Sequence, residues 1–338
     1  MRIYLDVTGG DFAPAAPVAG AVEALRAHAG LEIILAGYAC DTEALLANCA
    51  DVRGRIIIDD VTETITNHEA PVLAVRVKKN SAIVKGMLSV KDANADGFVS
   101  AGSTGGVLAG AMLKLGRIPG IERPALAPLM PNGKGYFLLI DCGANVDCKP
   151  FWLPQFGLMG SAYMQCVMGI ADPRVGLINI GAEAEKGNQL IKDVYPLMEN
   201  APFHFIGNVE ARDITSGCAD VLVSDGFSGN IVLKFMEGVA STLMGIIKTE
   251  IMADTRGKIG GLILRPAFKR VAKTLDYTEV GGAPLLGVKG AVVKAHGSSN
   301  AHAIACAIKQ AMAMISGDVT GMIQSRLAGT APSERDDI

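Results

Sequence analysis

The stretch Tyr136-Phe137-Leu138-Leu139-Ile140 runs directly into the polar turn Asp141-Cys142-Gly143-Ala144-Asn145. An apolar run of this length, followed at once by a glycine-containing turn, is typical of a strand buried on both faces of a parallel sheet. The pattern recurs at Ile3–Leu5, Ile33–Leu35, Phe98–Val99, Leu177–Ile180, Phe203–Ile206 and Val221–Val223. The helical segments between these runs predict right-handed βαβ crossovers, and therefore an α/β fold with a mostly parallel sheet.

The polar turns lie at the carboxyl ends of the predicted strands, where open parallel sheets bind their ligands. Any one turn is also compatible with simple capping of the helix that follows it. Several turns that combine glycine with Ser, Thr, Asn or Asp favour one shared binding site. In the first third of the chain its candidate residues are Gly9, Gly10, Asp11, Ser100, Gly102 and Thr104.

Composition excludes several classes of protein. The chain has 338 residues, half of them apolar, and a net charge of −3, which argues against nucleic-acid binding. Its seven cysteines include no CxxC pair, so we expect neither a disulfide framework nor a zinc site. The apolar segment nearest to a membrane span is Phe156 to Ala171, which Gln165 and glycines interrupt. We therefore expect a soluble, cytoplasmic protein that at most rests on a membrane surface.

None of the turns carries a nucleotide-binding motif. The chain has no GxxxxGK[ST], and no GxGxxG that follows a first strand and precedes an acidic residue about 20 positions on. These absences weaken ATP- and NAD-dependent interpretations, and we expect no cofactor. What remains is anion binding by backbone N–H groups at helix N-termini.

Two cations follow predicted strands in the second half of the chain. Lys186 lies beside Asn188, and Arg212 lies shortly after Asn208. A lysine supplies a compact charge and an arginine a planar fork, and both suit phosphate. We assign phosphate binding to Lys186 and Arg212, with solvated surface charges as the alternative, and we expect Asn188 and Asn208 to contact the substrate.

Two polar loops are candidates for catalysis. In the loop from Asp225 to Asn230, Ser228 and Asn230 can donate hydrogen bonds to a developing oxyanion, although a capped turn with no catalytic duty has the same sequence. In the second loop, His296 is a candidate catalytic residue and Ser298 a candidate for binding the substrate. A structural histidine is the alternative for His296.

A third polar group contains Asp141 and Asn145, with Asp147 and Lys149 close by. Paired carboxylates suit magnesium, but no further carboxylates converge on them in sequence, so a helix cap is favoured and no metal is expected. Because no Gly-x-Ser-x-Gly elbow is present, direct attack by the substrate is preferred to an acyl-enzyme.

The segment from Arg256 to Lys273 contains six basic and no acidic residues, with apolar residues at roughly helical spacing. Gly260-Gly261 and Pro266 are expected to break it into two short helices. The pattern favours a membrane surface or an acidic partner, and equally an ordinary helix that packs on its own core or on a second subunit.

Taken together, the motifs resemble the bacterial phosphate acyltransferase of phospholipid synthesis. They occur in family order as LDVTGGDFAP from Leu5, SAGSTGG from Ser100, LGRIPGIERPA from Leu115, DCGANVDCKP from Asp141, PRVGLINIG from Pro173, EKGN from Glu185, FIGNVEARDI from Phe205, ADVLVSDGFSGNIVLK from Ala219 and HGSS from His296. The chain departs from the family pattern at Thr8, at Ser103 and Gly106, and at Ala182 to Ala184.

The resemblance implies a three-layer αβα fold of the isocitrate/isopropylmalate dehydrogenase-like type, shared with phosphate acetyltransferases, and a homodimer. It implies one large domain over residues 1–330, a helical protrusion near 255–275 and a flexible tail over 331–338. The implied reaction converts an acyl-carrier-protein thioester and inorganic phosphate into acyl phosphate. In that reaction Asp225 and His296 are expected to act as orienting residues or as proton donors to the leaving thiolate. The product would supply a membrane glycerol-3-phosphate acyltransferase, with the protein peripheral on the inner membrane face.

Three other functions stay open on the sequence. They are a short-chain phosphate acetyl- or butyryltransferase that uses coenzyme A, a nicotinamide-dependent dehydrogenase of the same fold, and a non-catalytic scaffold on the membrane surface. The dehydrogenase needs a cluster of metal-binding carboxylates. The scaffold accounts for the basic segment but leaves the polar strand-end turns unexplained.

Overall fold

The computed structural model describes residues 1–275 and 280–330. Strands in this part of the chain are β1 (Arg2–Asp6), β2 (Glu32–Gly37), β3 (Ile56–Asp60), β4 (Gly97–Ser100), β5 (Ala125–Leu126), β6 (Leu129–Asn132), β7 (Gly135–Ile140), β8 (Arg174–Asn179), β9 (His204–Glu210), β10 (Val221–Val223), β11 (Ala283–Leu286) and β12 (Ala291–Lys294). Helices are α1 (Ala15–Ala27), α2 (Ala39–Leu45), α3 (Pro71–Val77), α4 (Ala82–Lys91), α5 (Thr104–Gly110), α6 (Trp152–Met168), α7 (Gln189–Glu199), α8 (Gly226–Met252), α9 (Thr255–Leu275), α10 (Ala301–Ser316) and α11 (Val319–Thr330).

The strands form two sheets. The first has the order β3-β2-β1-β4-β12-β11-β5. The first five strands in this order are parallel to one another, and β11 is antiparallel to both of its neighbours. The second has the order β6-β7-β10-β8-β9, in which only the β6–β7 pair is antiparallel. The predicted α/β fold with mostly parallel strands is confirmed.

Alternate residues of the central strands enter separate hydrophobic cores, which shows why their sequences are continuously apolar. In β1, Ile3 and Leu5 pack in the core that contains residues of α1 and α10. Tyr4 between them faces the core that contains Ile83 and Met87 of α4. Helices therefore cover the first sheet on both faces.

Each of the seven apolar runs that the sequence predicted as strands overlaps a strand, although Ile180 lies just after β8 and Phe203 just before β9. The prediction missed β3, β5, β6, β11 and β12. The strand β5 has only two residues. The strand β12 ends in a lysine, and no glycine-containing polar turn follows it directly, so it does not match the pattern used to predict strands. Such strands are specified by their sheet neighbours more than by their own sequence.

The expected break at Gly260-Gly261 and Pro266 was wrong, because α9 is one helix from Thr255 to Leu275. It packs beside α8 as a helical hairpin. At Gly257 and Gly261 the missing side chains allow α9 to approach Ile251 of α8 closely. Packing against the neighbouring helix therefore outweighs the weak helix propensity of glycine and proline.

The choice of Phe156 to Ala171 as the most membrane-like segment was also wrong. Most of this segment belongs to α6, which is a core helix. Of the helices in the described residues, α8 alone is long and apolar enough to cross a membrane, judged by length and composition. The single-domain assignment stays a prediction, and the tail predicted at 331–338 lies outside the described residues.

Candidate active site

A cavity of about 420 Å³ is lined by strand-end segments of both sheets. The first sheet contributes the segments after β4 and β12, and the second contributes the turn after β7. Residues of α8, which follows β10, form another part of the wall. The topology therefore brings loops that are distant in sequence to one place, as expected for a ligand site of a parallel sheet.

Three loops of the first sheet pack against one another at this cavity. Gly9 approaches Gly102 so closely that a side chain on Gly9 would overlap it. Gly10 has a φ of +101°, and the N–H of Asp11 donates to the carbonyl of Gly297 at 2.8 Å. Gly102 and Thr104 line the cavity themselves. The glycines thus allow close approach of the loops in addition to the turns that the sequence predicted.

Ser100 and Ser103 hold the loop after β4 in place. The Ser100 hydroxyl donates to Asp6 at 2.7 Å and accepts from the N–H of Gly102 at 3.0 Å. The Ser103 hydroxyl accepts from the N–H of Gly106 at 3.3 Å and so caps α5. Both contacts position the backbone of the cavity wall.

Lys294 supplies the most deeply buried cation of the cavity. Its side chain stands at the end of β12, is 8% exposed and donates to the backbone carbonyls of Ala101 and Ala295. Burial lowers the pKa of Lys294 to about 8. A desolvated ammonium at this position is suited to hold an anionic ligand.

Lys234 and the imidazole of His296 form a second polar group in the cavity wall. The Lys234 ammonium lies 2.7 Å from the Glu237 carboxylate and 3.4 Å from Nε2 of His296. Burial, with the nearby Lys234 charge, lowers the pKa of His296 below its ordinary value. The ring is therefore neutral near neutral pH.

Ser298 orients the ring of His296. The backbone N–H of Ser298 lies 3.2 Å from Nδ1, and an N–H can only donate. The Ser298 hydroxyl lies 2.7 Å from the same nitrogen. Nδ1 therefore accepts from Ser298, while the Lys234 ammonium, which is also a donor, lies 3.4 Å from Nε2. Ser298 positions His296 in this way.

The start of α8 separates Ser228 and Asn230, the two residues predicted to act on an oxyanion. Asp225 caps the helix, accepting from the N–H and the hydroxyl of Ser228 at 2.8 and 2.9 Å. This is the capped turn that the sequence left open as an alternative. Asn230 lines the cavity opposite Gly143, where its amide can reach a substrate.

Sequence comparison with known proteins shows the family of the chain. The profile described as "Fatty acid synthesis protein" matches residues 1–322. The phosphate acyltransferase of Clostridium botulinum strain Loch Maree is 50% identical over 315 residues, which cover 92% of this chain and 93% of that protein. The one from Alkaliphilus oremlandii is 47% identical and covers 99% of both chains. The chain belongs to the phosphate acyltransferase family. It is an acyltransferase enzyme, as the sequence predicted.

Solved structures agree on the fold of this acyltransferase. A phosphotransacetylase from Streptococcus pyogenes superposes with a TM-score of 0.62 at 19% identity, over 93% of this chain and 94% of that one. A branched-chain phosphotransacylase from Enterococcus faecalis V583 gives a TM-score of 0.59 at 14% identity, over 93% and 99%. The phosphate acetyltransferase-like fold that the resemblance implied is confirmed.

Asp141 is buried next to the cavity and holds the turn after β7 in place. Its carboxylate is fully buried and accepts from the N–H groups of Leu126, Cys142, Ala144 and Asn145 and from the Asn145 side chain. Burial raises the pKa of Asp141 to about 6, although the N–H donors oppose this shift. Asp141 and Asn145 thus fix the turn after β7. Among the described residues no group of three His, Cys, Asp or Glu side chains could hold a metal ion.

The thiols of the two cysteines near the site have raised pKa values. Cys142 lines the cavity, and burial raises the pKa of its thiol well above the ordinary value. Burial also raises the pKa of Cys148, to about 12. Neither thiol is a thiolate near neutral pH, which favours direct attack by the substrate over an acyl-enzyme on cysteine.

Four of the predicted site residues lie elsewhere on the acyltransferase. Lys186 is exposed, and Asn188 caps α7 by accepting from Ile191. Asn208 donates to the carbonyl of Glu183, while Arg212 is 77% exposed beside Glu210. Lys186 and Asn188 follow β8, Asn208 lies within β9, and Arg212 follows β9. The strands β8 and β9 stand two and three strands from β7, or roughly 10 and 14 Å across the sheet. The structure does not bring them to the cavity.

The sequence analysis missed Lys234, Glu237 and Lys294. One signal for Lys294 was available, since it ends the apolar run Ala291–Lys294 just before the His296 loop. A lysine at the end of a buried strand is unusual unless it is paired or functional. Lys234 and Glu237 gave no comparable signal, because their position depends on how α8 packs.

Proposed function

We propose that the enzyme makes acyl phosphate from an acyl-carrier-protein thioester and inorganic phosphate, for phospholipid synthesis. The observation that carries the proposal is the set of Lys234, Lys294 and His296 around one cavity of about 420 Å³. The two ammonium groups would hold the phosphate anion. The Asn230 amide would donate to the thioester oxygen as negative charge develops on it.

In the proposed reaction, a phosphate oxygen attacks the thioester carbon, and the carbon–sulfur bond breaks in the tetrahedral intermediate. As the phosphate oxygen attacks, the neutral His296 ring takes the proton of the phosphate hydroxyl and then passes it to the departing sulfur. The products are acyl phosphate and the free thiol. Since phosphate is already nucleophilic, positioning and charge stabilisation supply most of the rate.

The test mixes the protein with an acyl-carrier-protein thioester and phosphate, and traps acyl phosphate with hydroxylamine. We expect hydroxamate that depends on phosphate, and less from the same acyl group on coenzyme A. Absence of phosphate-dependent hydroxamate from both donors would contradict the proposal. Equal turnover with coenzyme A would favour the short-chain alternative.

The carrier protein and the membrane are proposed partners of the α8–α9 hairpin. The helix α9 has six basic and no acidic residues. Ile259, Leu262 and Ile263 are 59, 70 and 74% exposed beside these charges. A basic helix with exposed apolar residues suits an anionic membrane surface. The exposed apolar residues of α8 suit a homodimer.

We further propose a cytoplasmic location, peripheral on the inner membrane face, where acyl phosphate can pass to a glycerol-3-phosphate acyltransferase. Flotation with anionic and neutral vesicles tests the membrane contact. We expect binding to anionic vesicles that Ile263→Glu abolishes and that Glu250→Gln on α8 leaves intact. Equal binding of the Ile263→Glu variant would contradict the assignment to α9.

A further inference from the structure

Glu237 is an acidic residue in a cavity whose other charged side chains are cationic. Among the described residues that line the active-site cavity, Glu237 alone has a carboxylate, and Lys234 and Lys294 supply the ammonium groups. A carboxylate beside a bound anion repels that anion, unless the anion donates a hydrogen bond to the carboxylate. The charge of Glu237 therefore bears on which anions the two lysines can hold.

One oxygen of the Glu237 carboxylate is occupied, and the other is available to a ligand. Oε2 accepts from the Lys234 ammonium at 2.7 Å, from three residues earlier on the same helix. Within residues 1–275 and 280–330, Oε1 makes no hydrogen bond. The Glu237 side chain is only 17% exposed, so bulk water has restricted access to this oxygen. An acceptor that is largely buried in the wall of a cavity calls for a donor on the ligand.

The buried carboxylates near the cavity differ from Glu237 in this respect. Both oxygens of Asp6 accept from Thr8 and Ser100, and both oxygens of Asp225 accept from Ser228. Both oxygens of Asp141 likewise accept from the turn after β7. These three carboxylates hold loops of the protein in place. The carboxylate of Glu237 has an acceptor left for the substrate.

The substrate anion differs from other tetrahedral anions in its hydroxyl group. Near neutral pH inorganic phosphate keeps at least one O–H group, whereas sulfate has the same shape and no O–H group. An ionised carboxylate can accept a hydrogen bond and cannot donate one. It therefore pairs with the hydroxyl of phosphate and repels an oxygen of sulfate. Two ammonium groups with one available carboxylate oxygen select a tetrahedral anion that has a proton.

We propose that Glu237 determines the specificity for phosphate: its Oε1 accepts from the hydroxyl of the bound phosphate and excludes fully ionised anions such as sulfate. This inference rests on the proposed function and names the form of its substrate anion. Glu237 and His296 both contact the Lys234 ammonium, so a hydroxyl held at Glu237 lies beside the imidazole that takes its proton. The acyl phosphate product has lost this proton, and repulsion by Glu237 then favours its release.

The first experiment measures anion binding to the native protein by calorimetry, without thioester. The anions are phosphate and arsenate, which have an O–H group, and sulfate and monofluorophosphate, which have none. We expect the Kd values of sulfate and monofluorophosphate to exceed that of phosphate by about 10²-fold, because the carboxylate is left without a donor. Arsenate should bind within about tenfold of phosphate. Binding of either hydroxyl-free anion within about threefold of phosphate would overturn the proposal.

The second experiment repeats the titrations with Glu237→Gln. The amide oxygen of glutamine can still accept from Lys234, and its amide nitrogen can donate to a sulfate oxygen. We expect the ratio of the sulfate Kd to the phosphate Kd to fall from about 10² to within about threefold of unity. The control is Glu250→Gln, at an exposed position of α8 that does not line the cavity, and it should keep the native ratio.

A purely structural role of Glu237 predicts a different result. If Glu237 only positions Lys234, Glu237→Gln weakens phosphate and sulfate by the same factor, and an unchanged ratio would overturn the proposal. Hydroxylamine trapping with the native protein separates this inference from the proposed function. Turnover without discrimination against sulfate would overturn the inference alone. Selective binding of phosphate without turnover from any thioester would reject the proposed function and support the assignment of Glu237.

Discussion

The carboxyl edge of the second sheet has two regions that look alike in sequence and differ in structure. The region at β7 and α8 faces the first sheet and forms a cavity with Lys234 and Lys294. The region at β8 and β9 has Lys186 and Arg212 in glycine-containing loops, but these side chains are exposed. A cation at a strand end forms a ligand site only where a second set of loops covers the cation. Without that cover, solvent screens the attraction between the cation and an anionic ligand.

The largest effect that tests this comparison is expected from Lys294→Met, which removes the buried ammonium and keeps most of its volume. Loss of one preorganised charge should lower kcat/KM for phosphate by about 10³-fold. Lys289→Met, at an exposed position between β11 and β12, should change it less than about twofold. Steady-state kinetics with varied phosphate measure both. A small effect of Lys294→Met would remove this residue from the phosphate site.

The next effect concerns folding. In Asp141→Asn an amide nitrogen replaces one carboxylate oxygen, and its hydrogens then face backbone N–H groups that had donated to that oxygen. We expect a loss of about 3 kcal/mol in the free energy of unfolding, because a buried network loses acceptors. Urea denaturation measures the loss. Asp147→Asn, on the exposed side of the same turn, should lie within about 0.5 kcal/mol of the native protein.

Substitutions of Asn230 and Ser228, which lie within one turn of α8, compare a side chain that lines the cavity with one that caps the helix. Asn230→Ala should reduce kcat by about 10²-fold with unchanged thermal stability, because its amide faces the cavity. Ser228→Ala removes the hydroxyl that donates to Asp225, which should cost about 1 kcal/mol of stability and little activity. The reverse pattern, in kinetics and thermal unfolding, would return the oxyanion role to Ser228.

The pH dependence tests whether Lys294 acts as a cation. Burial lowers its pKa to about 8, so the phosphate-holding form is lost as the pH rises through 8, and kcat/KM should fall about tenfold per unit above it. Stability moves the other way, since the unfolded chain binds the extra proton between pH 8 and about 10.5 and unfolding becomes harder as the pH rises. Lys294→Met should lack the kinetic limb. A native profile that is flat to pH 10 would contradict this role.

The parallel sheet was predictable because continuous apolar runs such as Tyr136–Ile140 require burial on both faces. The family was predictable from the ordered motifs. The site was predictable in part, since Gly102, Thr104, Asn230 and His296 line the cavity. Lys234 was not, because its place depends on how a helix packs across two sheets. The strand order that sets Lys186 apart also depends on contacts distant in sequence, which no local pattern contains.

The smallest expected effect is that of the paired substitution Lys186→Ala and Arg212→Ala, which tests the other side of the comparison. Arg212 forms exposed ion pairs with Glu210 and Asp213 at 3.3 and 3.6 Å, and such pairs contribute little in water. The double variant should unfold within about 0.5 kcal/mol of the native protein and keep kcat/KM for phosphate within about threefold. A loss comparable to that of Lys294→Met would mean that the loops after β8 and β9 close over the phosphate during turnover. In that case the motif-based assignment would describe the working enzyme better than the cavity seen in this structure.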